Sequence, residues 1–257
     1  MSGSIEFEQQ ASVAQVTISH SPRFNAMSRT MWRALRSIFE SIQNSTDVRC
    51  VVIKGDKANF CSGGDISEYT DFRFQESSLR DFHENDVWGA LRAMLDCDVP
   101  IVAQIEGNCM GAGVEIASCC DIRLSSLSAK FGAPIAKLGF PMAPREAALV
   151  AREAGLVTAR RMLLEAAVFS ATDMKEAGFL SRVLADDQLR TEAQATALRI
   201  SALAPQAARL NKQALRALLS PVLPVDHHGD ETTYAYAESA EHREGIQAFL
   251  EKRKPVF

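Results

Sequence analysis

Two glycine-rich stretches decide the fold of this chain. Residues 60–66 read Phe-Cys-Ser-Gly-Gly-Asp-Ile, and residues 107–115 read Gly-Asn-Cys-Met-Gly-Ala-Gly-Val-Glu. Apolar runs at residues 50–54 and 101–105 precede them and predict two buried strands. Glycines between a strand and a helix leave backbone N–H groups approachable. Either turn alone is also explained as an ordinary connection, but together they predict two donors aimed at one oxygen, an oxyanion hole.

The remaining patterns predict an α/β fold. Further strands are expected at residues 13–18 and 121–124, and helices alternate with all four strands, which predicts right-handed βαβ units. After residue 157 the sequence is Ala-rich and helical, with one short strand near Val183. The other predicted segments are a helix capped by Ser28 and ending near Gln43, an amphipathic helix over 79–95, a Gly/Pro-rich loop over 131–144, and helices over 144–154, 158–165, 171–177, 188–204, 205–219 and 230–252.

Composition narrows the class of protein. The chain has 257 residues, 47% of them hydrophobic, and a net charge of -4, which disfavours a nucleic-acid binder that relies on a basic surface. It has no apolar run of about 18 residues, so no membrane span is expected. No basic n-region opens the sequence, and its six cysteines lack CxxC spacing. We therefore expect a cytoplasmic protein with free, buried thiols, and no metal site.

Five motifs, taken in order, resemble those of one known family. They are residues 22–27 (Pro-Arg-Phe-Asn-Ala-Met), 60–66, 107–121, 131–139 and 245–254. In this order and spacing the chain resembles the crotonase superfamily, also called the enoyl-CoA hydratase/isomerase family, nearly from end to end.

This resemblance implies the architecture and the partners. The family fold is a spiral of ββα units followed by a helical trimerisation region. We expect residues 1–200 to form the spiral core with the acyl-CoA site, and residues 201–257 to form the helical region, which oligomerises and covers the CoA pocket. The expected assembly is a homotrimer or a hexamer built as a dimer of trimers. Coenzyme A is part of the substrate, so no separate cofactor is expected, and neither is a nucleic-acid or membrane partner.

The resemblance also implies catalytic positions. The family stabilises a thioester enolate with two backbone N–H groups, which fall on Gly64 and Ala112 here. Ala112 departs from the family, which commonly has glycine at this position, and its methyl group narrows the approach. Glu115 matches one of the two glutamates of hydratases and is expected to act as a general acid or base, or to orient a water. The alternative is a structural acid at a helix N-terminus.

A second departure concerns the other carboxylate. Ile135 stands where hydratases and Δ3/Δ2 isomerases of the family carry a glutamate. Syn addition of water is most readily served by two carboxylates, one for the water and one for the α-proton. Glu146 is a candidate substitute, and its alternative is an acid that caps the helix begun by Pro144.

The implied substrate- and CoA-binding residues are more widely spread: Arg23, Ser62, Gly64, Asp65, Ile66, Gly111, Ile135, Phe249 and Lys252. Asp65 is also expected to cap the following helix. For the tail the alternatives stay open. Phe249 packs the last helix in the alternative interpretation, and Lys252 belongs to a solvated charge run.

These expectations favour an acyl-CoA enzyme of fatty acid metabolism, nominally an enoyl-CoA hydratase that hydrates a 2-enoyl-CoA. A specialised acyl-CoA isomerase, decarboxylase or thioester hydrolase is the alternative that Ile135 favours, because decarboxylation needs an oxyanion hole but no base. A non-catalytic acyl-CoA-binding protein is the third interpretation.

Overall fold

The computed structural model describes residues 3–72 and 75–218, and five single residues beyond them, at positions 240, 244, 251, 253 and 256. The helix predicted at 230–252 lies outside the described residues, as do the two tail candidates Phe249 and Lys252.

Two sheets organise the described part. The larger sheet has the strand order β1-β2-β3-β4-β6-β9, and the smaller has the order β5-β7-β8. From β2 onward the larger sheet is parallel, and β1 pairs antiparallel with β2. The strands are β1 (Ser4–Gln10), β2 (Val13–Ser19), β3 (Cys50–Gly55), β4 (Ile101–Ile105), β5 (Asn108–Met110), β6 (Ile122–Ser126), β7 (Lys130–Gly132), β8 (Val168–Ser170) and β9 (Arg182–Leu184).

Helices cover both faces of the parallel sheet. Neighbouring strand residues alternate between two apolar clusters: Val51 and Ile53 face α1 and α3, whereas Val52 faces α8. This double burial is why the strands are continuous apolar runs. The helices are α1 (Arg29–Gln43), α2 (Glu76–Asp81), α3 (Trp88–Asp96), α4 (Ala112–Ser118), α5 (Pro144–Ala154), α6 (Leu156–Leu164), α7 (Ala171–Glu176), α8 (Leu189–Ser201) and α9 (Pro205–Leu218).

The predicted helix over 79–95 is wrong in one respect, because it is interrupted. A π-helical turn, Phe82–Val87, separates α2 from α3. Asp86 in this turn is buried and accepts hydrogen bonds from Arg29 Nε at 2.6 Å and Arg33 Nε at 2.7 Å. A buried carboxylate needs cationic partners. The π turn, with its extra residue, places the Asp86 carboxylate beside Arg29 and Arg33 of α1.

Strands β1, β5, β7 and β8 are also absent from the sequence-based prediction; β5 lies within residues 107–115, which the sequence predicts as a turn. Six of the seven residues of β1 are exposed, so it lacks the alternation that marks a half-buried strand. Strands β7 and β8 have three residues each, too few for a periodicity to appear. The predicted loop after β7 contains a 3-10 helix, Pro134–Leu138, which forms one wall of the site described below.

Helix α9 docks on the core through charged side chains. Arg216 pairs with Asp98 and Lys212 with Asp121, each at 2.7 Å. The division of the chain at residue 200 stays a prediction, since most of residues 201–257 lies outside the described ranges. All six cysteines are free and buried, as predicted. Within the described ranges, no helix combines the length and apolar character needed to cross a bilayer.

Candidate active site

The two glycine turns pack directly against each other. The N–H of Cys61 donates to the carbonyl of Asn108, and the N–H of Met110 donates to the carbonyl of Cys61, both at 2.9 Å. Gly113 permits this approach, since a Cβ there would lie 2.6 Å from the Cys61 carbonyl oxygen. Gly111 has a φ of +47°, a conformation that favours glycine.

This packing places two backbone donors on one cavity. Gly64 and Ala112 both border a cavity of about 220 Å³. Ala112 is the first residue of α4, so its N–H has no acceptor within the helix. Among the described residues, no protein group accepts a hydrogen bond from the N–H of either residue. The neighbouring amides are used internally: Asp65 donates to Met27 and Gly111 to Gly132. The arrangement is that expected of an oxyanion hole.

The rest of the cavity wall is largely apolar. One polar group of the wall lies close to the hole. The hydroxyl of Tyr69 is so near Gly64 that it would overlap a Cβ at that position. No lysine or arginine is among the described residues of the wall. The apolar side chains are Trp32, Ile66, Phe82, Val87, Met110, Pro134, Ile135, Leu138, Phe140, Pro141, Met142 and Ala143.

Glu115 is the carboxylate that the first turn of α4 brings to this cavity, three residues after Ala112. Burial raises the pKa of Glu115 to about 8, and the negative charge of Glu146 contributes to the same direction. Glu115 therefore holds its proton through most of the neutral range and releases it just above that range.

Glu146 is the second carboxylate near the site. Glu146 is only 2% exposed. It lies in the first turn of α5, which is the position that the capping alternative predicts. Its Oε1 lies 3.2 Å from Nδ1 of His83. Ile135, at the position where hydratases carry a glutamate, borders the cavity as a partly buried side chain packed on the core.

His83 is a site residue that sequence reasoning missed. It lies in the π-helical turn, borders the cavity and has a side chain 23% exposed. Its position within a predicted continuous helix concealed it, because a regular α-helix over 79–95 assigns no special direction to residue 83. The one available signal is the polar run at residues 83–86 inside an otherwise amphipathic segment.

The predicted substrate-binding residues fall into two groups. Ser62, Ile66 and Gly111 border the cavity. Arg23 and Asp65 are not among the residues that line it, and they pair with each other at 2.8 Å. Asp65 is buried and also accepts from the N–H of Ser67, so it caps the following 3-10 helix and holds the loop in place.

Comparison with known proteins gives the same family as the motifs. The sequence model of the enoyl-CoA hydratase/isomerase family matches residues 8–257. The chain belongs to this family. It is 30% identical over 251 residues to the probable enoyl-CoA hydratase echA8 of Mycobacterium bovis, covering 97% of this chain and 96% of the relative. It is 27% identical to the short-chain-enoyl-CoA hydratase of Clostridium acetobutylicum, with 96% and 94% covered.

A solved structure supports the fold assignment. The enoyl-CoA hydratase/carnithine racemase of Magnetospirillum magneticum superposes with a TM-score of 0.93 at 36% identity, covering 98% of this chain and 94% of the other. The chain thus has the crotonase fold, as the motifs predict, and belongs to a family of enzymes that act on acyl-CoA substrates.

Proposed function

We propose that this protein hydrates a 2-enoyl-CoA, holding the thioester oxygen between the N–H groups of Gly64 and Ala112 and transferring the α-proton through Glu115. The observation that carries the proposal is that Glu115 borders the same cavity as the two donors. The proposal places its proton beside the carbon next to the thioester carbonyl when that oxygen occupies the hole.

The hole acts on the charge that develops during the reaction. When water adds to the β-carbon, the electron pair of the double bond moves towards the thioester oxygen. Two fixed donors stabilise this oxygen more in the transition state than in the substrate. Removing one such donor in known oxyanion holes costs about 3 kcal/mol. The apolar wall lowers the local dielectric constant and so strengthens these interactions.

Glu115 suits the second half of the reaction. A group with a pKa of about 8 is protonated near neutrality yet gives up its proton readily. It can therefore protonate the α-carbon of the enolate, and remove that proton in the reverse direction. Proton transfer by such a group contributes about 10²- to 10⁴-fold to the rate.

The cavity wall also supports a substrate class. The acyl group meets aromatic and aliphatic side chains, and no lysine or arginine stands among the described lining residues. This favours an apolar acyl chain.

Decarboxylation of a malonyl-type thioester is the second candidate, and one observation favours it. Ile135 presents an aliphatic side chain to the cavity at the position of the family glutamate. A carboxylate bound beside it without a cation is destabilised, and this promotes loss of carbon dioxide.

Turnover by the purified protein separates these reactions. We expect hydration of crotonyl-CoA above background, a loss of about 10²- to 10⁴-fold in Glu115→Gln, and no change in the exposed control Glu176→Gln. Release of carbon dioxide from a malonyl-type CoA, without hydration, would favour decarboxylation. Acyl-CoA binding without any turnover would favour a binding protein.

We further propose a homotrimer or a dimer of trimers in the cytoplasm, assembled through residues 201–257. Sedimentation of the full chain tests the assembly, since a monomeric protein would contradict it.

A further inference from the structure

We propose that His83, oriented by Glu146, is the group that activates water in this site and so takes over the role lost with the family glutamate at position 135. This inference rests on the proposed hydration. It assigns His83 as a catalytic residue and Glu146 as a positioning residue.

The contact between the two side chains defines their roles. Glu146 is buried, with a side chain 3% exposed, and its Oε1 faces His83 Nδ1 at 3.2 Å. Among the described residues, the imidazole is the one hydrogen-bond partner of this carboxylate. An imidazole that donates from Nδ1 to a carboxylate carries its lone pair on Nε2. This is the orientation of a general base held by an acid, as in a catalytic triad.

The π turn that carries His83 is bound to two neighbouring helices, α1 and α5. Asp86 binds Arg29 and Arg33 of α1, and Glu84 pairs with Arg145 at 2.6 Å. Arg145 precedes Glu146, so the π turn and the start of α5 are joined at two successive positions. A π turn inside a helix is found frequently at functional sites.

The charged surroundings of His83 are accounted for on each packed element. Glu115, on α4, borders the cavity with its carboxyl group, and Glu146, on α5, contacts His83 directly. The other charged groups of the π turn and α2 are paired. Glu84 pairs with Arg145, Asp86 with Arg29 and Arg33, and Asp81 with Arg29. Glu76 and Arg80 of α2 pair with each other.

The proposed step conserves atoms and charge. His83 Nε2 takes a proton from water, and the water oxygen bonds to the β-carbon. The double-bond pair moves to form the enolate, whose oxygen lies in the hole. The protonated Glu115 then gives its proton to the α-carbon. One water is consumed, and the imidazolium and the Glu115 carboxylate return to their starting states by exchanging one proton through solvent.

Two reactions separate water activation from enolate formation. Hydration of crotonyl-CoA needs both groups, whereas exchange of the α-protons of butyryl-CoA in heavy water needs the hole and Glu115 alone. For His83→Ala we expect hydration to fall by at least about 100-fold and α-proton exchange to stay within about threefold. Added imidazole should restore part of the hydration rate. Thermal unfolding of His83→Ala, and of the more conservative variant His83→Gln, tests whether either substitution causes a folding defect.

The matched control is Glu76→Gln, which cuts the exposed ion pair between Glu76 and Arg80 on α2, a pair that does not hold the π turn. We expect its hydration rate to stay within about threefold of the wild-type rate, as exposed ion pairs contribute little. Glu146→Gln should lower hydration and also move the alkaline limb of the pH profile to lower pH, because the charge of Glu146 helps to raise the pKa of Glu115.

Three outcomes would overturn the inference. The first is a His83→Ala variant that hydrates within threefold of wild type. The second is a parallel loss of hydration and α-proton exchange without rescue by imidazole, which indicates a structural role. The third is a wild-type protein that does not hydrate 2-enoyl-CoA, in which case the proposed function falls with it. In the first two outcomes the wild-type protein still hydrates 2-enoyl-CoA, so failure of this inference is distinguishable from failure of the proposed function.

Discussion

Gly113 lies against Cys61 so closely that no side chain fits at position 113. A Cβ on Gly113 would be 2.6 Å from the Cys61 carbonyl oxygen and 3.1 Å from the Cys61 Cβ. This contact joins the first glycine turn to the start of α4. It therefore sets the separation between the backbone donors of Gly64 and Ala112.

We predict that Gly113→Ala lowers both stability and activity. The added methyl forces the two turns apart, and overpacking of this kind costs about 1–3 kcal/mol. We expect kcat/KM to fall by about 100-fold, as on loss of one donor. Gly89→Ala is the matched control, because its Cβ meets only the end of the Arg36 side chain. Equal unfolding free energies for the two variants in urea would contradict the prediction.

A carboxylate at position 135 is predicted to change the pH profile. In Ile135→Glu a further negative charge enters the cavity that Glu115 borders and raises the pKa of Glu115 above about 8. The alkaline limb of the kcat/KM profile should then move to higher pH. Ile135→Gln has the same shape without the charge and should leave the limb in place. A change of equal size in both variants would assign the effect to shape.

The pH dependence of stability tests the environment of Glu115. Its pKa is about 8 in the folded protein, against 4.5 for a glutamate exposed to water, so the folded state binds the additional proton between these values. The free energy of unfolding should therefore decrease as pH rises from about 4.5 to 8. A pKa difference of one between the folded and unfolded states corresponds to about 1.4 kcal/mol. Glu115→Gln should lack this decrease, and its stability relative to wild type should grow with pH in urea titrations at pH 5, 7 and 9.

The buried pair at the π turn has a predicted structural effect. Asp86→Asn removes the carboxylate shared by Arg29 and Arg33, although Arg29 keeps its contact with Asp81. Breaking a buried pair costs about 3–5 kcal/mol; the exposure of Arg33 and the remaining Arg29–Asp81 pair reduce this to about 2 kcal/mol. Hydration should fall as well, because His83 shares the turn. Asp96→Asn, which removes an exposed pair with Arg92, should change stability by less than about 0.5 kcal/mol. Similar unfolding midpoints in Asp86→Asn and Asp96→Asn would show that the buried pair at the π turn does not stabilise the fold.

Local patterns predicted most of the regular structure. The buried strands β2, β3 and β4 are apolar runs, and α1 begins at the Ser28 cap and ends at Gln43 as its periodicity indicates. These features depend on neighbours within a few residues, so the sequence carries them directly. The glycine turns belong to the same class, because a positive φ or a close backbone approach selects glycine at one position.

The candidate site required the tertiary structure wherever its parts are distant in sequence. His83 and Glu146 are 63 positions apart, and their contact depends on a π turn that long-range ion pairs to α1 hold in place. The raised pKa of Glu115 likewise results from burial and from a carboxylate on another helix. The sequence by itself thus determined the family and the fold, and it predicted Gly64 and Ala112 as the two backbone donors. Only the packed chain decided which acids and bases share the cavity, because burial and distance between remote segments have no local signature.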